Sequence, residues 1–422
     1  MKHDLILYGA GVKLKYVYFE LKFCYNIVCI VDKDMNKQGK EFEMPDGARL
    51  FILSLDEALE RFTYAKIWIT PEVPVKYEII AELLKSHSID SDQILNYVNV
   101  SFRKSCSFVE NEILFIEDKF QVCCINKDSP SMVYNPNKSD EELLEDFEKF
   151  KDEIINSIST GNKHPICKNC QHVKETYYSR DKRITQVSLG SIPGTICQFN
   201  CRYCYSIKKF NIYSGRDNIK RLLTFITFLK NKNYFDKETK MILLNGEISL
   251  SPFKKDIFET VEGYKLVIAT NGEFYSEEIE AALRTGKSTV NISIDAGTAD
   301  TFRVVKGRDC FYDVVENIHK YSKLAQYGQL QLKYIILPGI NDNHDDAKGF
   351  VRLAYDVQAE IVVSRNAIDV KSFDENIDSC LETVETIITE ARKNKLIVFN
   401  QLNDFSPPSK YREQIGRMFE TL

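Results

Sequence analysis

Short apolar runs alternate with segments of helical periodicity along the first hundred residues. Three runs, Leu5–Tyr8, Ile27–Val31 and Lys66–Thr70, have the aliphatic and β-branched residues that are typical of buried strands. The predicted helices are Val12–Leu21, Leu55–Arg61 and Tyr77–Ser86. Strands that alternate with helices predict a doubly wound parallel sheet, and we assign residues 1–100 to this first domain.

The same alternation returns at Ile184 and continues through the rest of the chain. The predicted strands are Ile184–Leu189, Met241–Leu244, Leu266–Ala269, Val290–Ile294, Leu330–Ile336 and Ile361–Ser364. Helical stretches lie between them, among them Ile219–Lys230, Glu277–Arg284, Phe311–Ser322 and Leu381–Arg392. The pattern predicts a partial (β/α)6 TIM-type barrel over residues 181–422, with its functional groups at the carboxyl ends of the strands.

Residues 101–180 have a different pattern. They hold the dipeptide Cys123-Cys124, an acidic helical segment and the pair Cys167 and Cys170. The apolar content of this stretch is low for an independent core, so the sequence predicts a small cysteine-rich module that is held together by ligands. The predicted fold class is therefore α/β, with a small linker module between two parallel-sheet domains.

The composition excludes several classes of protein. Hydrophobic residues make up 44% of the 422 positions, which is ordinary for a chain with a buried core. Lys plus Arg number 56 against 61 Asp plus Glu, for a net charge of -5, so a globally basic nucleic-acid binder is disfavoured. No apolar run reaches the roughly 18 residues of a membrane helix, and no cleavable apolar region follows Met1. We therefore expect a cytoplasmic protein without a nucleic-acid or membrane partner.

The chain has twelve cysteines, an unusual number for such a protein. A reducing compartment disfavours disulfides, so thiols that are grouped in motifs are expected to be metal ligands or catalysts. Cys197, Cys201 and Cys204 have the spacing C-x3-C-x2-C. Three thiolates on one short loop can hold three corners of an iron–sulfur cube and leave the fourth iron open for a cofactor. The alternative, a structural zinc site, prefers four ligands.

This loop and four further segments resemble the radical S-adenosylmethionine (SAM) superfamily. The signature of that family has the same cysteine spacing with an aromatic residue before the third cysteine, here Tyr203. The further segments follow successive predicted strands, and they are Leu244-Asn245-Gly246-Glu247, Ala269-Thr270-Asn271-Gly272, Ser293-Ile294-Asp295-Ala296-Gly297 and the loop from Lys333 to Asp342. The resemblance covers residues 184–400.

The resemblance implies that the three cysteines hold a [4Fe-4S] cluster whose open iron binds SAM. Gly246 and Glu247 would meet the amino group of the methionine, and Tyr203, Ser293 and Asp295 are the other expected SAM-binding residues. An electron from a flavodoxin- or ferredoxin-type donor would cleave SAM to methionine and a 5′-deoxyadenosyl radical, which abstracts a hydrogen atom from the substrate.

The remaining clustered cysteines predict a second metal site. Cys167 and Cys170 can chelate as a pair, and Cys123 and Cys124 can supply further ligands, with Cys106 as a reserve. The region resembles the cysteine-rich auxiliary-cluster (SPASM-like) region of radical SAM oxidoreductases, which implies a second [4Fe-4S] cluster. In that family the region usually follows the barrel, whereas here it precedes the barrel. A structural zinc and unligated thiols remain alternatives.

The first domain carries candidate nucleotide-binding residues. Gly9 and Gly11 follow the first strand and open a helix, and Asp32 ends the next strand. Glycine permits the close approach of a phosphate, and an acidic side chain can hold ribose hydroxyls. Leu14 stands at the third glycine position of that pattern. The domain resembles small Rossmann-like modules at the N-terminus of sugar-modifying proteins, which implies a nucleotide or nucleotide-sugar ligand. The alternative is a scaffold or substrate-docking domain.

Four further cysteines lie outside these motifs. Cys24 and Cys29 are expected in the apolar core of the first domain, and Cys380 is favoured less than Cys310 as a hydrogen donor. Cys310, at the start of a predicted helix, is either a packed thiol or a hydrogen donor to a substrate radical.

Three functions are compatible with these features. The first is a radical SAM oxidoreductase that acts on a small or nucleotide-linked substrate and passes the substrate electron to the auxiliary cluster. The second is a peptide-modifying maturase, or an activase of a glycyl radical enzyme, whose N-terminal domain docks a protein substrate. The third is a non-catalytic iron–sulfur or zinc protein, which the ordered motifs at successive strand ends disfavour.

Overall fold

Alternate side chains of the first strand pack on opposite faces of a sheet. In the computed structural model, Leu5 and Leu7 pack into one apolar core, while Ile6 and Tyr8 pack into another. Side chains of a strand alternate between its faces, so this run of four apolar residues lies in a sheet that is covered on both sides. The structure describes residues 2–11, 14, 18, 21–22, 25–44, 46–71, 74–90, 93–95, 101–116, 119–123, 129–160, 167–168, 170, 172–178, 184–190, 196–204, 216–244, 246–404 and 409–420.

Strands and helices alternate through most of the described residues. The strands are β1 (Asp4–Tyr8), β2 (Asn26–Val31), β3 (Glu41–Glu43), β4 (Arg49–Leu53), β5 (Lys66–Ile69), β6 (Ile94–Leu95), β7 (Ser101–Ser105), β8 (Glu112–Ile116), β9 (Lys119–Gln121), β10 (Ser131–Val133), β11 (Lys174–Tyr178), β12 (Ile184–Leu189), β13 (Phe235–Leu243), β14 (Lys265–Thr270), β15 (Thr289–Ser293), β16 (Leu330–Ile336), β17 (Glu360–Arg365) and β18 (Val398–Asn400). The helices are α1 (Leu55–Arg61), α2 (Pro74–Ser86), α3 (Ser107–Asn111), α4 (Asp140–Ser159), α5 (Arg216–Asn231), α6 (Lys254–Thr260), α7 (Glu277–Arg284), α8 (Ala299–Lys306), α9 (Phe311–Ser322), α10 (His344–Asp356), α11 (Val370–Glu375), α12 (Ile377–Lys393) and α13 (Arg412–Glu420).

The chain divides into two units. Unit one comprises residues 1–106 and 174–182, and unit two comprises residues 107–173 and 183–422. Unit one contains a six-stranded sheet of order β3-β4-β2-β1-β5-β6, which is parallel except between β3 and β4. Strands β7 and β11 form a separate antiparallel pair. The predicted α/β arrangement with parallel strands is confirmed for this unit.

Unit two contains a ten-stranded sheet of order β10-β9-β8-β12-β13-β14-β15-β16-β17-β18. It is parallel from β8 to β18, and β9 and β10 add an antiparallel edge. All six strands that the sequence predicts after residue 181 are present, and β8 and β18 extend the same sheet. The parallel-rich α/β class is therefore confirmed here as well.

Residues 101–180 are divided differently from the sequence-based expectation. Strand β8 pairs with β12, and its residues Ile113 and Phe115 are buried. Helix α4 has an apolar face, which includes Leu143, Phe147 and Ile155, all fully or nearly fully buried. Much of the stretch expected to form a separate module therefore belongs to unit two. The prediction differed because the acidic exposed face of α4 lowers the average apolar content of a segment that also has an apolar face.

The carboxyl ends of strands β12 to β16 lie at one edge of the large sheet, as neighbouring parallel strands require. The loops after these strands carry the motifs that the sequence singled out. No helix of the described residues is long and apolar enough to cross a membrane.

Candidate active site

The cysteine loop, residues 196–204, is held against the end of helix α8. The backbone N–H of Asn200 donates to the carbonyl oxygen of Lys306 at 3.1 Å, and the N–H of Cys204 donates to the carbonyl oxygen of Cys201 at 3.0 Å. Gly307 has a φ of 69°, and a Cβ there would lie 3.1 Å from the carbonyl oxygen of Asn200. The close approach of the loop to α8 therefore favours glycine at this position.

Cys197, Cys201 and Cys204 are all partly exposed on this loop. Burial raises the pKa of Cys197, and it raises the pKa of Cys201 to about 11. Repulsion between the cysteines adds to both pKa shifts, so the sulfur atoms lie within electrostatic range of one another. In the described part of the chain, no three His, Cys, Asp or Glu side chains are arranged around a single metal ion. The thiolates of an iron–sulfur cube bind separate irons and need no such convergence.

A polar chain from the turn after β14 supports the cysteine loop. The Asn271 amide nitrogen lies 3.8 Å from the Cys197 sulfur and donates to the Gln198 side-chain oxygen at 3.2 Å. The Gln198 amide donates to the Glu273 carboxylate at 2.5 Å, and Arg308 donates to the same carboxylate at 2.6 Å. The sequence motifs do not predict a role for Gln198, Glu273 or Arg308. The sequence offers only a weak signal for them: Glu273 lies four residues after a predicted strand end, and Arg308 lies three residues before a predicted helix start.

Glu247 is fully buried, and its carboxylate is occupied by protein donors. It accepts hydrogen bonds from the Ser249 N–H and hydroxyl, from the Thr270 hydroxyl and from the Asn271 N–H, at 2.6 to 3.1 Å. Burial raises the pKa of Glu247, and these hydrogen bonds oppose that rise. The Glu247 N–H also donates to the carbonyl of Ile196. The carboxylate therefore ties its own loop to the turn after β14, and the Glu247 backbone N–H ties that loop to residue 196.

Tyr203, Asp295 and Lys306 form a buried cluster beside the cysteines. The Lys306 ammonium lies 2.5 Å from the Asp295 carboxylate and donates to the Tyr203 hydroxyl at 2.7 Å. The Tyr203 hydroxyl donates to the same carboxylate at 2.5 Å, and the Ile335 N–H donates to its second oxygen. Lys306 is 1% exposed and Asp295 is not exposed at all. Burial and the Asp295 charge raise the pKa of Tyr203.

Two of these three residues were expected from the sequence, and Lys306 was not. The available signal was a lysine on the apolar face of α8, beside the buried Phe302 and Val305. Asp295 has a φ of 54°, a left-handed conformation that is uncommon for a residue with a side chain. The buried ion pair and the hydrogen bond from Ile335 hold it there.

The other residues expected to bind SAM lie at neighbouring strand ends. Gly246 has a left-handed φ of 53°, and its N–H donates to the carbonyl of Leu244. Ser293 is the last residue of β15 and is partly exposed. Asn245 lies outside the described residues. The structure thus brings the second, third and fourth strand-end motifs to one edge of the sheet, next to the cysteine loop.

The cysteines expected at a second metal site are only partly described. The Cys170 N–H donates to the carbonyl of Cys167, so the pair lies on one turn in unit two, the unit that also contains Cys123. Cys124 lies outside the described residues. Cys106, the reserve candidate, is buried at the end of the first segment of unit one.

Three further described cysteines, Cys29, Cys310 and Cys380, are buried. Cys29 packs in the core of unit one, as the apolar pattern predicts, and Cys380 lies in α12. Cys24 lies outside the described residues. Cys310 precedes α9, and burial and the Glu273 charge raise its pKa to about 11.

Unit one builds a tight turn after β1. Gly9 has a φ of 110°, and a Cβ there would lie 2.5 Å from the Thr70 hydroxyl. That hydroxyl donates to the carbonyl of Gly9, and the Gly9 N–H donates to the carbonyl of Val31. Both the conformation and the lack of space therefore require glycine. No atom outside the local chain lies within 4 Å of a Cβ placed at Gly11.

Asp32 caps this turn from the end of β2. Its carboxylate accepts hydrogen bonds from the Ala10 N–H at 2.8 Å, from the Asp34 N–H and from the Lys37 ammonium at 2.9 Å. Burial disfavours the charged carboxylate, but these three hydrogen bonds outweigh it and hold the pKa of Asp32 below its usual value. Leu14, at the third glycine position, is fully buried in the core.

A pocket of about 420 Å³ opens at the glycine turn. Gly9, Asp32 and Lys37 line its polar side, and Ile79 and Leu83 of α2 line its apolar side. Ile79 is 62% exposed and Leu83 is 40% exposed, which is unusual for large aliphatic side chains. The pocket combines an apolar wall with charged groups at one end, as ligand sites commonly do.

Comparison with known proteins finds similarities in the second half of the chain. The family described as the Radical SAM superfamily matches residues 191–354. A GTP 3',8-cyclase of Psychromonas ingrahamii is 26% identical over 155 residues, which are 35% of this chain and 43% of that protein. Molybdenum cofactor biosynthesis protein 1 of Bos taurus is 29% identical over 163 residues, which are 37% of this chain and 25% of that protein. This chain thus spans less than half the length of these two relatives.

Solved structures that match part of this chain include Streptococcus suis SuiB bound to S-adenosylmethionine, with a TM-score of 0.41 and 11% identity. That likeness covers 63% of this chain and 57% of SuiB. The structure of anSMEcpe with bound AdoMet has a TM-score of 0.39 and 13% identity, over 51% of this chain and 63% of that one.

Proposed function

This protein contains a radical SAM domain at residues 191–354, and from that premise we propose that it is an oxidoreductase that reductively cleaves SAM and abstracts hydrogen from a small or nucleotide-linked substrate. The radical SAM superfamily uses a [4Fe-4S] cluster and SAM. The observation that carries the proposal is the convergence of three thiols, the Glu247 loop and the Tyr203–Asp295–Lys306 cluster at one sheet edge.

The donor set fits the cofactors of this superfamily. Cys197, Cys201 and Cys204 are partly exposed thiols on one loop, and burial together with the neighbouring thiols raises the pKa of the first two. Iron binding compensates that mutual repulsion of thiolates. We propose that these cysteines hold the cluster, and that Gly246, Ser293 and the backbone beside Glu247 meet SAM. When bound, the two cofactors supply a 5′-deoxyadenosyl radical after one electron arrives from a flavodoxin- or ferredoxin-type donor.

The residues of the chain position these groups. Glu247 holds the loops after β12, β13 and β14 together through its carboxylate and backbone. Lys306 neutralises Asp295 and orients the Tyr203 ring, which lies 5.1 Å from its ammonium. Because Asp295 and Lys306 satisfy each other, the site has a rigid wall that needs no water to complete it. Such a wall limits the side reactions of a radical.

Two observations support the proposal that the substrate is linked to a nucleotide. The Psychromonas ingrahamii relative is named GTP 3',8-cyclase, so the substrate in that protein is a nucleotide. The pocket of unit one offers an aliphatic wall for a base and, beside Asp32 and Lys37, polar groups for a ribose and a phosphate. We therefore propose that Gly9, Gly11 and Asp32 belong to a nucleotide or nucleotide-sugar site.

We also propose an auxiliary [4Fe-4S] cluster that accepts the substrate electron. Cys167 and Cys170 lie on one turn in unit two, and Cys123 belongs to the same unit. Cys124 completes the proposed set of four thiols. Four thiolates are the usual ligand set of such a cluster.

Release of 5′-deoxyadenosine from SAM tests the central proposal. The anaerobically reconstituted full-length protein, treated with a reductant, should release it, and Cys201→Ala should reduce the rate at least about 100-fold. Cys29→Ala, which removes a core thiol of unit one, is the matched control and should retain the wild-type rate. A Cys201→Ala protein that still cleaves SAM at the wild-type rate would overturn the assignment.

Iron content tests the auxiliary cluster. Two cubes require about eight irons per chain and one requires about four. The Cys167→Ala, Cys170→Ala double variant should lose about four irons and keep SAM cleavage. A wild-type content of about four irons would contradict the second cluster.

Ligand-dependent thermal stabilisation tests the pocket of unit one. Nucleoside diphosphates and nucleotide sugars should raise the melting temperature of the wild-type protein by mass action. Ile79→Lys, which places a charge in the apolar wall, should remove the stabilisation. Tyr64→Lys is the matched control, because Tyr64 is 92% exposed and does not line the pocket. If no nucleotide stabilises the protein, the peptide-modifying alternative is favoured.

A further inference from the structure

The inner face of the large sheet is polar where strands β15, β16 and β17 meet. On β16, Leu332 and Tyr334 are fully buried on one face, whereas Gln331 and Lys333 on the opposite face are partly exposed. The Asn291 amide donates to the Gln331 side-chain oxygen at 3.4 Å, and the Gln331 amide donates to the Glu360 carboxylate at 3.0 Å. Bulky branched side chains usually fill the inside of β/α barrels. A polar lining indicates that this face meets water or a ligand.

Lys333 is the cation of this lining. It is directly opposite Ser293 in the β15–β16 pairing, and its carbonyl accepts the N–H of Asp295. Its position is thus next to the strand end that we propose for SAM. Side chains that are opposite each other in a parallel pair share a face, so the Lys333 and Ser293 side chains lie on the same side of the sheet.

The Lys333 ammonium has no hydrogen bond and no ion pair with any described residue. The charged groups within electrostatic range are Asp295, Asp404 and Lys306. Asp295 is already engaged by Lys306, Tyr203 and the Ile335 N–H. Burial lowers the pKa of Lys333, and the two carboxylates only partly oppose this. Such a partly buried cation loses hydration that the protein does not replace.

An oxyanion is the group that compensates such a cation best. A charge-assisted hydrogen bond to a carboxylate or phosphate restores the interactions that the ammonium loses on desolvation. We propose that Lys333 binds a carboxylate or phosphate group of the substrate on the inner face of the sheet, beside the SAM-binding strand end. The inference rests on the proposed function and adds to it the anionic character of the substrate.

Anion binding by the reconstituted protein with SAM present tests this site without turnover. Inorganic phosphate and malonate are titrated by calorimetry, and the anion that binds more tightly identifies phosphate or carboxylate as the preferred group. Lys333→Gln should weaken that binding at least about tenfold, and Lys333→Arg should restore most of it. Lys287→Gln, at an exposed lysine, is the matched control and should bind the anion as the wild type does.

A second measurement uses the wild-type protein and so does not depend on how the variants fold. Amine-specific labelling followed by peptide mass spectrometry should show that the preferred anion slows modification of Lys333 about tenfold but leaves Lys287 unaffected. Unchanged anion affinity in Lys333→Gln, or unprotected labelling of Lys333, would overturn the proposal. So would a tenfold loss of SAM affinity with intact anion binding, because the ammonium would then belong to the SAM carboxylate. Release of 5′-deoxyadenosine by the wild type tests the proposed function separately.

Discussion

Both units place their candidate residues at the carboxyl ends of parallel strands, but different forces hold those residues in position. In unit one the pair of Asp32 and Lys37 is partly exposed, with 42% of the lysine side chain open to solvent. In unit two the pair of Asp295 and Lys306 is buried, with side chains 0% and 1% exposed. Exposed ion pairs contribute little to stability, whereas breaking a buried one leaves an uncompensated charge. The same strand-end position therefore gives an adaptable site in unit one and a rigid one in unit two.

The two units can be followed separately during unfolding. The chain has a single tryptophan, Trp68, which is fully buried in the core of unit one. Its fluorescence therefore reports on unit one, while far-ultraviolet circular dichroism is dominated by the larger unit two.

The largest expected effect is that of removing the buried cation. Lys306→Met should lower the free energy of unfolding of unit two by about 3–5 kcal/mol, because Asp295 is left buried without its partner. Lys320→Met breaks an exposed pair with Glu316 and should cost less than about 1 kcal/mol. Adding Asp295→Asn to Lys306→Met should recover part of the loss. Chemical denaturation followed by circular dichroism measures all four proteins, and equal costs for the two lysine variants would contradict the contrast.

Glu247→Gln should have the next largest effect. The substitution keeps the shape of the side chain but replaces one acceptor oxygen with a donor that faces N–H or O–H groups. The free energy of unfolding should therefore fall by about 1–3 kcal/mol. SAM affinity should fall with it, because the Asn271 turn that contacts the cysteine loop loses its acceptor. Glu259→Gln is the control, with a side chain that is 63% exposed. Denaturation and equilibrium dialysis of SAM measure the two effects, and an unchanged stability would show that the four hydrogen bonds are dispensable.

Gly9→Ala should destabilise unit one by about 2 kcal/mol. Its φ of 110° is unfavourable for alanine, and the new Cβ would be 2.5 Å from the Thr70 hydroxyl. Gly11→Ala is the matched control two residues away, where a Cβ contacts nothing within 4 Å. The Trp68 fluorescence transition should shift for Gly9→Ala and stay within about 0.5 kcal/mol for Gly11→Ala. Equal shifts of the unfolding transition in the two variants would mean that the backbone entropy of glycine, and not the tight turn at Gly9, determines the effect.

The smallest expected effect is the pH dependence that Asp32 confers. Its pKa is lower in the folded protein than in the unfolded chain, so its charge stabilises unit one at neutral pH. That contribution is present above the unfolded pKa of about 4 and is lost as the pH falls through the folded value. Asp32→Asn should cost up to about 1 kcal/mol at pH 7 and progressively less below pH 4. Asp34→Asn, at an exposed neighbour, is the control, and a difference that grows in acid would contradict the sign.

The strand pattern could be predicted because it depends on local alternation of apolar residues. All six strands predicted in the second half are present, and so are those at Leu5, Ile27 and Lys66. The domain boundaries predicted between residues 101 and 180 differ from those of the structure. The apolar residues of α4 recur at helical spacing within an acidic segment, so the average composition of that segment does not reveal them. The pairing of β8 with β12 joins residues that are about seventy positions apart, which no local pattern encodes.

The sequence by itself determined where the chemistry lies, because the cysteine spacing and the strand-end motifs are contiguous in the chain. Tertiary structure alone decided what surrounds them. Lys306 at the end of a helix meets Asp295 beyond a strand end, and Arg308 meets Glu273 beyond another strand end. It also decided that the Glu247 carboxylate is occupied by protein donors while Lys333 lacks a partner among the described residues. The reason is that burial and hydrogen-bond partners depend on which strands become neighbours, and only the folded sheet specifies that.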